Sequence, residues 1–146
     1  SFLWGMLHDL LSTQATLHRR GSTNFPTCKI QGCVEDGTLV HELIYCAGND
    51  GVGFRLLQCL QHHVPDLSAA AALRLEHGDI STETYLPVTL LTAITLNYLR
   101  KERCAGSTIR SYKVRAEIEQ YIALLRTTRL SNIAIKLIEM TGYMFS

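Results

Sequence analysis

Residues 85–103 read YLPVTLLTAITLNYLRKER, an almost uncharged apolar run that ends abruptly in a cluster of basic residues. From Tyr85 to Leu99 there are fifteen residues without a charge, and the polar ones are Thr89, Thr92, Thr95 and Asn97. A threonine hydroxyl in a helix can donate to the carbonyl one turn back, so these side chains are compatible with burial. A membrane span needs about 20 apolar residues. This run is shorter, bounded by Asp79 and Glu83 on one side and by Arg100 to Arg103 on the other. A helix that is apolar all round must be enclosed by others, and the expectation is a central buried helix over about residues 80–103. Pro87 falls within the first turn or so of a helix that starts at Ser81 or Thr82, where the early N–H groups have no intrahelical acceptor.

Working outward, a chain of 146 residues with 47% apolar and 18% charged residues has the size and composition of one globular domain. Residues 1–146 are accordingly read as a single helical domain. The opening SFLWG without an initiator Met and the apolar ending GYMFS point to a piece of a longer polypeptide. No basic leader, cleavage site or long span marks the chain for secretion or the membrane. Five cysteines, Cys28, Cys33, Cys46, Cys59 and Cys104, are odd in number and widely spread, which points to free thiols in a reducing, intracellular compartment, cytoplasmic or nuclear.

Helix punctuation recurs along the chain. Leu3, Met6, Leu7, Leu10, Leu11 and Leu17 stand at helical spacing before Arg19, Arg20 and Gly21, which predicts a helix over Phe2 to Arg20. Residues 21–37 hold three glycines and one proline and read as a long loop. Leu39, Val40, Leu43 and Ile44 resume helical spacing, with a hairpin returning across Asp36-Gly37 as the alternative. A helix is expected from Val52 to His63, stopped by Pro65, with Gly48 ending the helix before it and Asp50 capping it. A short Ala-rich helix capped by Asp66 should end at Gly78. After the central helix, one opened by Ser107 or Thr108 carries the stripe Val114, Ile118, Tyr121, Ile122 and Leu125, and one capped by Ser131 ends at Gly142. The fold class is therefore all-α, a single bundle of about seven helices.

Motifs that carry chemistry are few. The glycines of Gly48 to Gly53 lack the GK[ST] ending and the βαβ setting of a phosphate loop and read as a turn. Cys28-x4-Cys33 together with Cys59-x2-His62 offers four zinc-ligand types, but the first spacing is loose and a chain this apolar needs no metal to fold. No GxSxG, HExxH or paired-carboxylate arrangement is present. The expectation is a chain that is not an enzyme, with no catalytic residues, cofactor or metal.

Charge is distributed unevenly. Residues 1–99 carry five Lys/Arg against nine Asp/Glu, a net of about −4, and residues 100–146 carry nine against four, about +5. Arg100, Lys101, Arg103, Arg110, Lys113 and Arg115 lie around one turn, where some of them should share a positive surface. They are the candidate partner- or polyanion-binding residues. The expected function is a non-catalytic helical protein–protein interaction or assembly module, with a protein partner or self-association. The alternative is an RNA- or polyanion-binding structural domain, of the kind found in viral matrix or nucleocapsid proteins, using the basic turn 100–115.

Overall fold

The computed structural model describes residues 18–21, 25–30 and 32–146. The helix expected over Phe2 to Arg20 falls outside the described residues except at its end, where His18 and Arg19 are helical. The described residues are all-α. Six helices follow in order: α1 (His41–Tyr45), α2 (Val52–His63), α3 (Ala69–Leu73), α4 (Thr82–Ala105), α5 (Ser111–Arg126) and α6 (Ser131–Met144), with a three-residue 310 turn, Ala47–Asn49, between α1 and α2. No helix among the described residues is long and apolar enough to cross a membrane.

The apolar run forms the centre, as its composition requires. Helix α4 packs against α1, α2, α5 and α6. It buries Val88, Leu91, Thr92, Ile94, Thr95, Leu96 and Leu99 along its length. Thr92 meets the cost of burial by donating its hydroxyl to the Val88 carbonyl at 2.8 Å. Ser81 caps the start by accepting from the Thr84 amide, and Gly106, left-handed at φ 71, ends the helix. Pro87 is buried in the second turn and not in the first, so it lies beyond the amides that lack an intrahelical acceptor and leaves the Glu83 carbonyl without its helical donor.

Around α4, the start and end of α2 coincide with the sequence reading, but several caps do not. The hairpin alternative is overturned: residues 39–45 are helical, and a single antiparallel bridge, Thr27 to Asp36, closes the preceding loop. Helix α3 is capped by Ser68, whose Oγ accepts from the Ala71 amide at 3.1 Å, and Asp66 stays in the exposed turn after Pro65. That helix stops at Leu73, well before Gly78, because Leu75 turns left-handed (φ 58) and the Glu76 amide reaches back to the Ala71 carbonyl at 2.9 Å. Helix α6 makes no side-chain cap at Ser131 and runs through Gly142 to Met144. In α5 the stripe holds at Val114, Ile118 and Ile122, but Tyr121 sits at the edge of the buried arc, half exposed.

Two contacts fix the corner between α1 and α2. Gly53 lies so close to α1 that a Cβ there would fall 2.1 Å from the Leu43 carbonyl oxygen and 2.6 Å from the Ile44 Cα, so the two backbones touch with no room for a side chain. Asp50, left-handed at φ 54, does not cap α2. Its Oδ2 accepts from the Ser111 amide at 2.8 Å, so it caps α5 across 61 positions of sequence.

Leu96 is fully buried and Leu86, on the same helix, is 50% exposed. Leu96→Ala should cost about 2–5 kcal/mol in denaturant unfolding through lost burial and cavity formation. Leu86→Ala should stay within about 0.5 kcal/mol. Loss of the Asp50 cap in Asp50→Ala should cost about 0.5–2 kcal/mol. The Ser111 backbone amide, chiefly, holds the Asp50 carboxyl below its ordinary 3.8, helped by Arg110 and Arg55 against a slight opposing effect of burial. A depressed folded pKa gives a contribution that is complete above the unfolded value and lost as pH falls through the folded one. The stability gap between wild type and variant should therefore close in acid, as urea titrations across that range will show.

Candidate functional site

The densest group of chemically active side chains comes from the loop ahead of α1 and from α1 itself. Cys28 and Cys33 lie on a turn that the Thr27 to Asp36 bridge closes. The Cys28 amide donates to the Glu35 carbonyl at 2.8 Å, the Gly37 amide to Pro26 at 2.7 Å, and the Cys33 amide to Ile30 at 3.0 Å. Both sulfurs thus project from one tight loop. His41 opens α1, a single π turn, and Cys46 follows it, with the Cys46 amide donating to the His41 carbonyl at 2.8 Å. In an α-helix, five residues at about 100° each would turn these two side chains roughly 140° apart. The i→i+5 round of the π turn brings them back to one side.

The result is a four-donor cluster. The Sγ atoms of Cys28, Cys33 and Cys46 and a ring nitrogen of His41 all lie within 4.8 Å of one another, with Cys28 and Cys46 buried. Cys28 Sγ and Cys46 Sγ are 3.8 Å apart, and Cys33 Sγ is 3.2 Å from His41 Nε2. Three thiols and an imidazole are soft and borderline donors, a set that suits zinc or a related thiophilic cation. Cys28 and Cys33 thus keep company with each other, as their spacing allowed, but their partners are His41 and Cys46. Cys59 and His62 do not join them. The Cys59 sulfur points into the core, 3.6 Å from the Met140 carbonyl oxygen, and His62 stacks on Tyr143 at 4.8 Å between ring centroids.

A cation from α4 reaches the cluster. The Arg103 guanidinium donates from Nη2 to Cys28 Sγ at 3.2 Å and from Nη1 to Asn49 Oδ1 at 3.1 Å. Asn49, fully buried, uses the other end of its amide to donate to the Glu42 carbonyl at 2.7 Å. Asn49 therefore ties the 310 turn to α1 and aims Arg103 at the sulfurs. Burial acts to raise the Cys28 thiol pKa, but the Ile30 amide, Arg103 and Cys46 together bring it below its ordinary value. Cys33 has the Glu35 amide to lower it, yet burial and the neighbouring Cys28 and Cys46 sulfurs leave it raised.

Of the six basic residues of the turn, Arg103 and Arg115 are engaged with partners away from an exposed surface around it. Arg103 is turned inward to Cys28 and Asn49. Arg115 bonds Glu119 at 3.0 Å and lies over the Phe145 ring, on the α6 side of α5. Arg100 donates to Cys104 one turn on. Lys101, Arg110 and Lys113 are exposed, on the end of α4, the connection and the first turn of α5 respectively. Sequence reading missed His41, Cys46, Asn49 and the inward role of Arg103. A His and a Cys flanking the apolar pair Leu43-Ile44 were the signal available, but at a spacing that no regular helix brings together.

No family model, curated protein or solved structure matches this chain.

All five cysteines are free thiols. Burial pushes the Cys59 thiol up to about 11, whereas Cys104 is exposed. In native alkylation followed by mass spectrometry, Cys104 should be labelled first and Cys59 last, the latter only as the domain opens.

Proposed function

We propose that this chain is a non-catalytic helical module for protein–protein contact and assembly, working in a reducing intracellular compartment, cytoplasmic or nuclear. The observation that carries the reading is the outer side of the α5–α6 pair. Helix α6 is apolar on more faces than the core uses: Ala134, Leu137, Met140 and Met144 are buried, while Ile135 and Ile138 remain 58% and 38% exposed. A helix apolar on its outer face is normally covered by another element. Ile138 opens onto a groove of about 350 Å³ between the two helices, with Ile122 and Ala123 beside it and Arg115, Glu119 and Arg126 at its rim. Thr141 also lines the groove, whose wall mixes apolar, polar and charged groups as the polar rim of a protein contact does. The rim carries both signs of charge, so a second copy related by a two-fold axis can set Arg126 against the partner's Glu119.

The free thiols support the compartment, since structural cysteines in oxidising surroundings are normally paired. Polyanion binding through the basic turn has less support, as Arg103 and Arg115 are committed to Cys28, Asn49 and Glu119.

Sedimentation across a concentration series tests the proposal. Wild type should self-associate, and the pair Ile135→Asp and Ile138→Asp should weaken that association by about tenfold or more without lowering the helical signal. A wild-type chain that stays monomeric and binds single-stranded RNA at low salt, with a salt slope that flattens when Lys101, Arg110 and Lys113 lose their charge, would replace this reading with the polyanion one.

A further inference from the structure

We propose that Cys28, Cys33, His41 and Cys46 together bind one zinc ion in a closed tetrahedral site that staples the loop ahead of α1 to the bundle. The argument begins with distance. A tetrahedral ion with Zn–S bonds of about 2.3 Å sets its sulfur ligands about 3.8 Å apart. The Sγ atoms of Cys28 and Cys46 are 3.8 Å apart. The Cys33 sulfur and His41 Nε2 stand at 3.2 Å, and every donor pair lies within 4.8 Å, so the widest must close by about 1 Å.

Charge and hydrogen bonding point the same way. Zinc would replace three thiol protons, released to solvent, and take neutral His41 through Nε2. Three thiolates and one divalent cation leave a single negative charge in a partly buried site. The Arg103 guanidinium, 3.2 Å from Cys28 Sγ, offsets it, and buried Asn49 fixes that guanidinium in place. The backbone amides of Ile30 and Glu35 are directed at the Cys28 and Cys33 sulfurs, supplying the outer hydrogen bonds that thiolate ligands take. A Cys28 to Cys46 disulfide would account for only two of the four residues. It would leave Cys33 and His41 gathered without a reason.

Four protein donors leave no position for substrate, which makes the site structural and not catalytic. It also has something to hold. Ahead of α1 the described loop is closed by the bridge between Thr27 and Asp36, and among its described residues, 25–30 and 32–37, only Cys28 and Gly37 are buried. A metal crosslink supplies what so small an apolar contribution does not.

The test uses the wild-type chain purified under reducing conditions with zinc in the medium. Elemental analysis should find about one zinc per chain. Replacement by cobalt should give the thiolate charge-transfer absorption and the intense visible bands of a tetrahedral site. Cys28, Cys33 and Cys46 should resist alkylation until a chelator is added, while Cys104 reacts throughout. Cys33→Ser should weaken metal affinity by at least about tenfold, and Cys59→Ser should leave it unchanged. If a variant does not fold, the protection pattern of the wild-type chain decides. A fully reduced chain that takes up no zinc, bound cobalt without thiolate bands, loss of metal on Cys59→Ser equal to that on Cys33→Ser, or a Cys28 to Cys46 disulfide in place of the metal would each overturn the assignment.

Discussion

The arrangement of this domain follows from the need to enclose α4. Its stretch from Tyr85 to Leu99 contains no charge, and its buried side chains are distributed around the helix and not along one stripe. A single neighbouring helix can cover only one arc of such a surface. Four helices, α1, α2, α5 and α6, are therefore drawn against it, and their own amphipathic faces are satisfied in the same step. The buried faces of α2 and α5 make sense only with α4 already between them.

Enclosing α4 also decides where its basic end goes. Arg100, Lys101 and Arg103 close a helix whose C-terminal dipole favours positive charge, and Arg103 lies on the side that meets the corner between α1 and α2. There it finds Asn49 and the Cys28 sulfur, and a residue that looks like part of a solvated patch becomes an internal fastening. The same corner collects Gly53 against α1 and Asp50 against α5, so three parts of the chain far apart in sequence share one small volume.

How much of this could be read in advance depended on whether a feature was local. The span of α2 and the start of α4 follow from Pro65 and Ser81 acting on the residues beside them, and these were legible, whereas Gly51 takes the cap position of α2 that the sequence reading gave to Asp50. The cluster was legible only at Cys28 and Cys33, because its other half uses a spacing of five that repeats in neither an α-helix nor a strand. Joining Cys59 and His62 to Cys28 and Cys33 fails for a simple packing reason: both face α6, Cys59 against the Met140 carbonyl and His62 against the Tyr143 ring. Asp50 illustrates a further limit. Its type and position suit a cap for α2, but which helix receives the carboxylate is set by tertiary proximity to Ser111.

That last contact carries a consequence for the order in which the domain folds. Helix α5 draws no cap from its own flank, for Arg110 makes no side-chain bond to its first turn. The acceptor that completes it arrives from 61 positions upstream and is in place only when the turn after α1 has docked. Closing so long a loop precedes any gain from the contact, which places the Asp50 to Ser111 bond among the late events of folding. A contact formed after the rate-limiting step governs how fast the native state opens more than how fast it forms. Asp50 thus acts as a latch on the lifetime of the assembled bundle, even though it adds nothing to the core that drives its collapse.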